Sequence, residues 1–170
     1  MRSDFVTNEQ DDMDVGSEKQ GLELPTLPPV IFGVPVLFGT LVHVFFWPSA
    51  SIGGIAGVVI GVILLLVGLG MIYWSWTTMT AHGEHPEPEQ PTETLVTSGP
   101  FKRTRNPIYV GFLVIGAGIA VGVNSLAMLI AVFIGVVALT VLVIRREEAY
   151  LEREFGEVYT EYMRRTRRWL

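Results

Sequence analysis

Apolar and polar positions are sorted along this chain into long blocks. No Asp, Glu, Lys or Arg occurs between Glu23 and Glu84, and none between Arg105 and Arg145. Each block exceeds the roughly 17–25 apolar residues of one membrane-spanning helix. Each also holds one point where turn residues gather. Trp47-Pro48-Ser49 divides the first block into candidate spans at 30–47 and 52–76, because Pro48 cannot continue a helical ladder. Asn124-Ser125 divides the second into 108–123 and 126–144. The pattern predicts an all-α, polytopic membrane protein with about four transmembrane helices. The 108–123 segment is short for a full span, so a shallow tilt or a partly interfacial position is expected of it.

The flanks sharpen this outline. Tyr73, Trp74 and Trp76 close the second span as an aromatic belt would. Gly53, Gly57 and Gly61 recur every fourth residue, as do Gly118 and Gly122, leaving smooth faces for close helix–helix approach. These faces suit packing within one chain or between two, so oligomeric state stays open. Residues 77–107 are polar and Pro-rich and read as a long loop without helix or strand. After Ile144 the pattern becomes a charged amphipathic helix, with Leu151, Phe155, Tyr159 and Tyr162 on one face and Glu161 four residues before Arg165. Arg164, Arg165, Arg167 and Arg168 follow, suited to anionic headgroups on a membrane surface. Residues 1–24 read as a disordered acidic tail without the features of a signal peptide, ahead of a membrane domain at 25–170.

Composition agrees with the pattern: 49% of the 170 residues are hydrophobic, only 17% are charged, and mean hydropathy is +0.43. The absence of cysteine excludes a disulfide scaffold, a thiolate nucleophile and a Cys-based metal site. A net charge of −5 gives no reason to expect nucleic acid. All 12 Lys and Arg fall on one side of a four-span topology, and the turns near 48–51 and 124–125 carry none. The positive-inside rule then places both termini and the 77–107 loop in the cytoplasm, in a plasma or inner membrane.

The second hairpin brings two charged, turn-rich segments to one membrane edge: Arg105–Tyr109 and Arg145–Glu148. Gly99-Pro100 marks a turn where backbone can approach a ligand. Asn106-Pro107 predicts a kink with unpaired backbone groups. Glu147 and Glu148 are costly at a membrane boundary unless they find cations. These features suggest a polar pocket opening onto lipid without naming a reaction. The plain alternatives are headgroup anchoring for Arg103 and Arg105, and a solvated helix turn for Glu147-Glu148. His82 and His85 lack an evident third ligand, so no metal is expected. His43, inside an apolar span, reads as a packed, hydrogen-bonded side chain.

The stretch Thr94–Trp169 resembles the membrane methyltransferases related to isoprenylcysteine carboxyl methyltransferase and to phospholipid N-methyltransferases. The resemblance rests on four ordered pieces: Leu95-Val96-Thr97-Ser98-Gly99-Pro100-Phe101; Arg105-Asn106-Pro107-Ile108-Tyr109-Val110-Gly111; Glu147-Glu148 with Leu151; and Phe155-Gly156-Glu157-Val158-Tyr159 followed by Tyr162. It implies S-adenosylmethionine as cofactor. It implies a cofactor pocket of Glu93, Thr94, Leu95, Val96, Phe101, Asn106, Pro107, Ile108 and Tyr109. It places Glu147, Glu148 and Arg146 on the acceptor side, with Glu147, Tyr109 and Arg105 as catalytic candidates. The acceptor is lipid, lipid-anchored or small and amphiphilic. An isoprenylcysteine carboxyl methyltransferase-like activity leads, with phospholipid N-methylation of an ethanolamine headgroup as the alternative. Two positions depart from the eukaryotic pattern: Asn106 replaces a His, and Val143 stands where a substrate-side Arg is found. From other classes, an NADPH-dependent membrane reductase usually has an acidic residue soon after the Tyr, where this chain has Val110-Gly111-Phe112. A non-enzymatic membrane partner would suit the glycine faces and basic tail.

Overall fold

The computed structural model describes residues 27–46, 54–84 and 92–170. The expected acidic tail, the Pro48 turn, Gly53 and His85 lie outside the described residues. The described chain is helical: α1 (Pro28–Phe46), α2 (Gly54–Ala81), a 3-10 turn (Gly99–Lys102), α3 (Pro107–Gly122), α4 (Leu126–Leu139), α5 (Arg145–Phe155) and α6 (Glu157–Arg165). A single π-helical segment, Thr140–Ile144, joins α4 to α5 without a break. Among the described residues, three helices are long and apolar enough to cross a membrane: α1, α2 and the continuous Leu126–Phe155. α3, the fourth apolar helix, has 16 residues. At 1.5 Å rise it spans about 24 Å, short of a hydrocarbon core of about 30 Å.

Side-chain exposure is inverted relative to a water-soluble bundle. Phe38, Phe45, Ile55, Leu66 and Phe133 are all exposed, which suits contact with lipid. The interior is small, and glycine makes it so. A Cβ added at Gly61 would meet the Gly118 carbonyl oxygen at 2.7 Å and the Gly122 Cα at 2.8 Å. One at Gly68 would meet the Gly111 carbonyl at 2.8 Å. The α2–α3 pair is thus a backbone-to-backbone contact, and the predicted glycine faces of both helices meet inside one chain. The second layer is α1 against α4, where Phe32 packs with Phe112, Val132, Leu139 and Val143. Its ring stacks on Phe112 with centroids 6.0 Å apart.

Three expectations need correction. α2 continues through the polar run to Ala81, past the expected end at 76, and the 77–107 segment also contains the 3-10 turn. The hydroxyls of Thr77, Thr78 and Thr80 donate back to carbonyls of their own helix, so polar residues do not end it. The amphipathic helix after Ile144 is two helices. α5 extends the fourth span, and Gly156, at φ +52°, breaks it before α6. His43 was expected to be hydrogen-bonded, but its buried Nδ1 has no partner.

Candidate functional site

The Pro-rich loop, the foot of α3 and the two terminal helices converge at one end of the bundle. Pro107 starts α3 at a position where a missing N–H costs nothing. Its neighbour Asn106 is not left with unpaired backbone. The Asn106 carbonyl accepts from Val110 N–H at 3.0 Å, and its own N–H donates to Thr104 Oγ1 at 3.2 Å. Gly99, at φ +56°, makes its close approach to Thr78 of α2, where an added Cβ would sit 2.8 Å from Oγ1. The expected approach to a ligand is therefore an approach to a helix.

One turn into α3, Tyr109 is 8% exposed and donates its hydroxyl to Glu147 Oε1 at 2.6 Å. The π-helical segment just before α5 shifts the helical register by one residue, which rotates later side chains by about 100°. Glu147 then meets α3, and Glu148 meets Arg105 and the C-terminus. Glu148 is buried and carries two arginines. Arg168 donates Nε to both oxygens, at 3.0 and 3.2 Å, and Nη2 to Oε2 at 2.6 Å. Arg105 Nη1 lies 3.1 Å from Glu148 Oε1 but without hydrogen-bond alignment, and neither Arg105 Nε nor Nη1 has a hydrogen-bond partner.

The residues after α6 return as a strap across the start of α3. Arg105 N–H donates to the Arg167 carbonyl at 2.9 Å. Thr104 Oγ1 and Asn106 Nδ2 both donate to the Arg168 carbonyl, at 3.1 and 2.9 Å. Tyr162 donates its hydroxyl to the Phe101 carbonyl at 2.7 Å. Burial, with Glu148 nearby, pushes the Tyr159 hydroxyl up to about 12, against the pull of Arg105. Tyr159 is therefore a neutral wall of the site at physiological pH. Arg168 is thus part of this end of the bundle, not only an anchor for headgroups; Arg164 and Arg165 remain exposed, and Glu161 lies 3.3 Å from Arg165 as the spacing predicted.

These elements enclose a cavity of about 510 Å³. Among the candidates for cofactor contact, Thr94, Leu95, Val96, Phe101, Asn106, Pro107, Ile108 and Tyr109 line it, together with Arg105 and Glu147. Glu93 does not; it is exposed and gives only its N–H, to Glu84 Oε1 at 2.9 Å. Glu148 sits behind Arg105 and outside the wall. Arg146 is exposed on another side of α5, in a shallow hollow with Ala149, Glu152 and Arg153.

Sequence reasoning missed several wall residues. Met79 comes from the unpredicted last turn of α2, Trp76 from the expected end of that span, Leu27 from just ahead of α1 and Pro28 from its start. Glu84 is the most consequential. It is 6% exposed, and Oε1 accepts the backbone N–H groups of both Glu93 and Thr94, which fixes the loop that forms one wall. Thr92 N–H is held in turn by the Tyr150 hydroxyl at 3.2 Å. A lone Glu in a Pro-rich loop carries no signal of this role. Among the described residues no cluster of His, Asp or Glu is placed to hold a metal; His82 instead contacts the Thr78 carbonyl and Ser98.

The cavity suits an amphiphilic nucleoside ligand. Its volume falls in the range of small-molecule sites of about 300–1,000 Å³. It offers aromatic walls, two carboxylates and one guanidinium. That donor set fits S-adenosylmethionine, which has a purine to stack, a sulfonium to face carboxylates and a carboxylate to accept from Arg105.

Comparison with known proteins fits this geometry. An uncharacterized protein of Haemophilus influenzae is 47% identical over 47 residues, which are 28% of this chain and 73% of that protein. No solved structure matches the chain. The profile of the phospholipid methyltransferase family matches residues 56–158, from α2 through the first turn of α6. The chain belongs to the phospholipid methyltransferase family, and so to the membrane methyltransferases.

Proposed function

We propose that this protein transfers a methyl group from S-adenosylmethionine to the amine headgroup of a membrane lipid. The carrying observation is the cavity at the foot of α3, where Glu147, hydrogen-bonded by Tyr109, and Arg105 line one space. When bound, the cofactor supplies an electrophilic methyl on a sulfonium. The protein's own contribution is positioning, because an in-line displacement gains most from holding its two reactants together. Arg105 holds a carboxylate. Trp76, Phe101 and Tyr159 exclude water. An amine acceptor must lose a proton to expose its lone pair, and Glu147 takes it while Tyr109 keeps the carboxylate oriented.

An amine is favoured over a prenylcysteine carboxylate by charge. Glu147 and Glu84 both line the cavity and would repel a carboxylate acceptor. Val143, at the position of the substrate-side Arg in carboxyl methyltransferases, is fully buried in the apolar core. A lipid reaches the cavity past Leu27, just ahead of α1, Ile72 of α2 and Phe112 of α3, all apolar wall residues. The basic loops and termini lie in the cytoplasm by the positive-inside rule, where the soluble cofactor is found.

Isothermal titration calorimetry of detergent-purified protein with S-adenosylhomocysteine tests the cofactor assignment. Saturable binding is expected. A folded sample that gives no heat of binding overturns it.

A further inference from the structure

The end of the bundle that holds the cavity also carries exposed cations. Lys102 and Arg103 are exposed at the 3-10 turn and its cap, Arg164 and Arg165 at the end of α6, and Arg167 on the strap that follows. Backbone ties gather these segments. The Tyr162 hydroxyl donates to the Phe101 carbonyl at 2.7 Å, the Arg105 N–H donates to the Arg167 carbonyl at 2.9 Å, and Thr104 pairs with Arg167 in an isolated bridge. Arg105 and Arg168 are matched to Glu148, and Arg164 and Arg165 share Glu161. Among the described residues, Lys102, Arg103 and Arg167 have no ion-pair partner. Gathered like charges repel one another and favour an anionic partner.

The N-terminal segment of the same chain has the matching charge and starts from the matching place. Residues 1–26 hold seven acidic and two basic side chains, so the whole net charge of −5 resides there and the rest of the chain is balanced. Glu9, Asp11, Asp12 and Asp14 fall within six residues. The segment joins the described structure at Leu27, a wall residue of the cavity that Phe101 and Tyr162 also line. Phe101 adjoins Lys102, and Tyr162 lies two residues before Arg164. Asp14 is 13 residues ahead of Leu27. That length of chain reaches up to about 45 Å when extended, ample to pass one cavity. A short tether also supplies an effective concentration on the order of millimolar, at which weak, exposed ion pairs are enough. We infer that the acidic run Glu9–Asp14 docks on the basic face formed by Lys102, Arg103, Arg164, Arg165 and Arg167. Docked there, it neutralises cations that would otherwise draw anionic headgroups. The contact is independent of the methyl-transfer reading.

The chain has no cysteine, so Gln10→Cys with Val158→Cys gives two unique spin-label positions, one in the acidic run and one exposed on α6. The distance between them is measured by pulsed electron paramagnetic resonance on the full-length protein in phosphatidylcholine vesicles, with thermal unfolding as the check on folding. One narrow distance population is expected at about 0.1 M salt. It should give way to a broad one at about 1 M, where the screening length falls from about 10 Å to about 3 Å. Asp11→Asn, Asp12→Asn and Asp14→Asn together should lower the docked-to-undocked ratio by about tenfold, the product of three exposed pairs worth a few-fold each. Lys102→Gln, Arg103→Gln and Arg167→Gln together should do the same from the other side. A broad distribution in the otherwise wild-type chain at about 0.1 M salt, or a narrow one that neither salt nor either set of substitutions changes, would overturn the inference. So would a face covered by lipid instead: no docked population in phosphatidylcholine, and an α6 label that loses mobility only when phosphatidylserine is added.

Discussion

Replacing Gly61 by Ala tests whether glycine contact between α2 and α3 holds the site in place. The added Cβ would sit 2.7 Å from the Gly118 carbonyl oxygen, 2.8 Å from the Gly122 Cα and 2.9 Å from the Gly122 nitrogen. Ordinary contact begins at 3.4 Å, so the nearest distance falls about 0.7 Å short. All three atoms are backbone of α3, so no side chain can rotate away. The helices must separate, and overpacking of this kind costs about 1–3 kcal/mol. Ala also favours the helix over Gly by up to about 1 kcal/mol, which masks part of the cost. Gly70→Ala supplies the control. Gly70 lies in the same helix with nothing within 4 Å of its added Cβ, so it carries the propensity gain alone. The assay is thermal unfolding of both variants in one detergent, followed by S-adenosylhomocysteine binding. Gly61→Ala should be less stable than Gly70→Ala by about 1–3 kcal/mol. It should also bind ligand more weakly, because α3 carries Pro107, Ile108 and Tyr109 at the cavity. Equal stability of the two variants would refute the packing argument.

Glu147→Gln should abolish methyl transfer while leaving S-adenosylhomocysteine affinity within about twofold, less than the tenfold per 1.4 kcal/mol of a lost contact, as single-turnover kinetics and calorimetry would show. Tyr109→Phe leaves Glu147 without its 2.6 Å donor and should lower turnover more than cofactor affinity, read from a kcat and KM comparison. Glu84→Gln keeps the size but loses the charge that holds two backbone N–H groups, so hydrogen exchange at 92–98 should quicken while the helices stay protected. Glu148→Ala strands two arginines and should cost about 3–5 kcal/mol in thermal unfolding, whereas Glu161→Ala, at an exposed pair, should cost under about 1 kcal/mol.

The membrane helices were legible because a bilayer imposes a coarse code. A span must be long and apolar, and charge-free runs such as 24–83 have few other uses. The glycine spacing was legible for the same reason: Gly57, Gly61, Gly118 and Gly122 serve backbone contact, and the structure pairs them across α2 and α3. The candidate site was outlined in the sequence by the hairpin that joins Arg105–Tyr109 to Arg145–Glu148, and the ordered motif pieces named Arg105, Asn106, Tyr109 and Glu147 without their partners. The strap 166–169 has no periodicity and was read as headgroup-binding charge, because Arg168 gains its meaning only when the chain returns to Glu148. The end of α2 was placed too early because Thr77, Thr78 and Thr80 look like loop residues until their hydroxyls are seen bonded to their own helix. Asn106 was expected to touch the cofactor; it lines the cavity, but its side-chain amide also fastens the strap.

The most direct test of lipid amine methylation uses the full chain reconstituted in phosphatidylethanolamine vesicles with methyl-labelled S-adenosylmethionine. After incubation, label is measured separately in extracted lipid and in protein. The account predicts label on the lipid headgroup nitrogen with wild type and none with Glu147→Gln. Label confined to an alkali-labile methyl ester, or none at all from a preparation that binds S-adenosylhomocysteine, would contradict it.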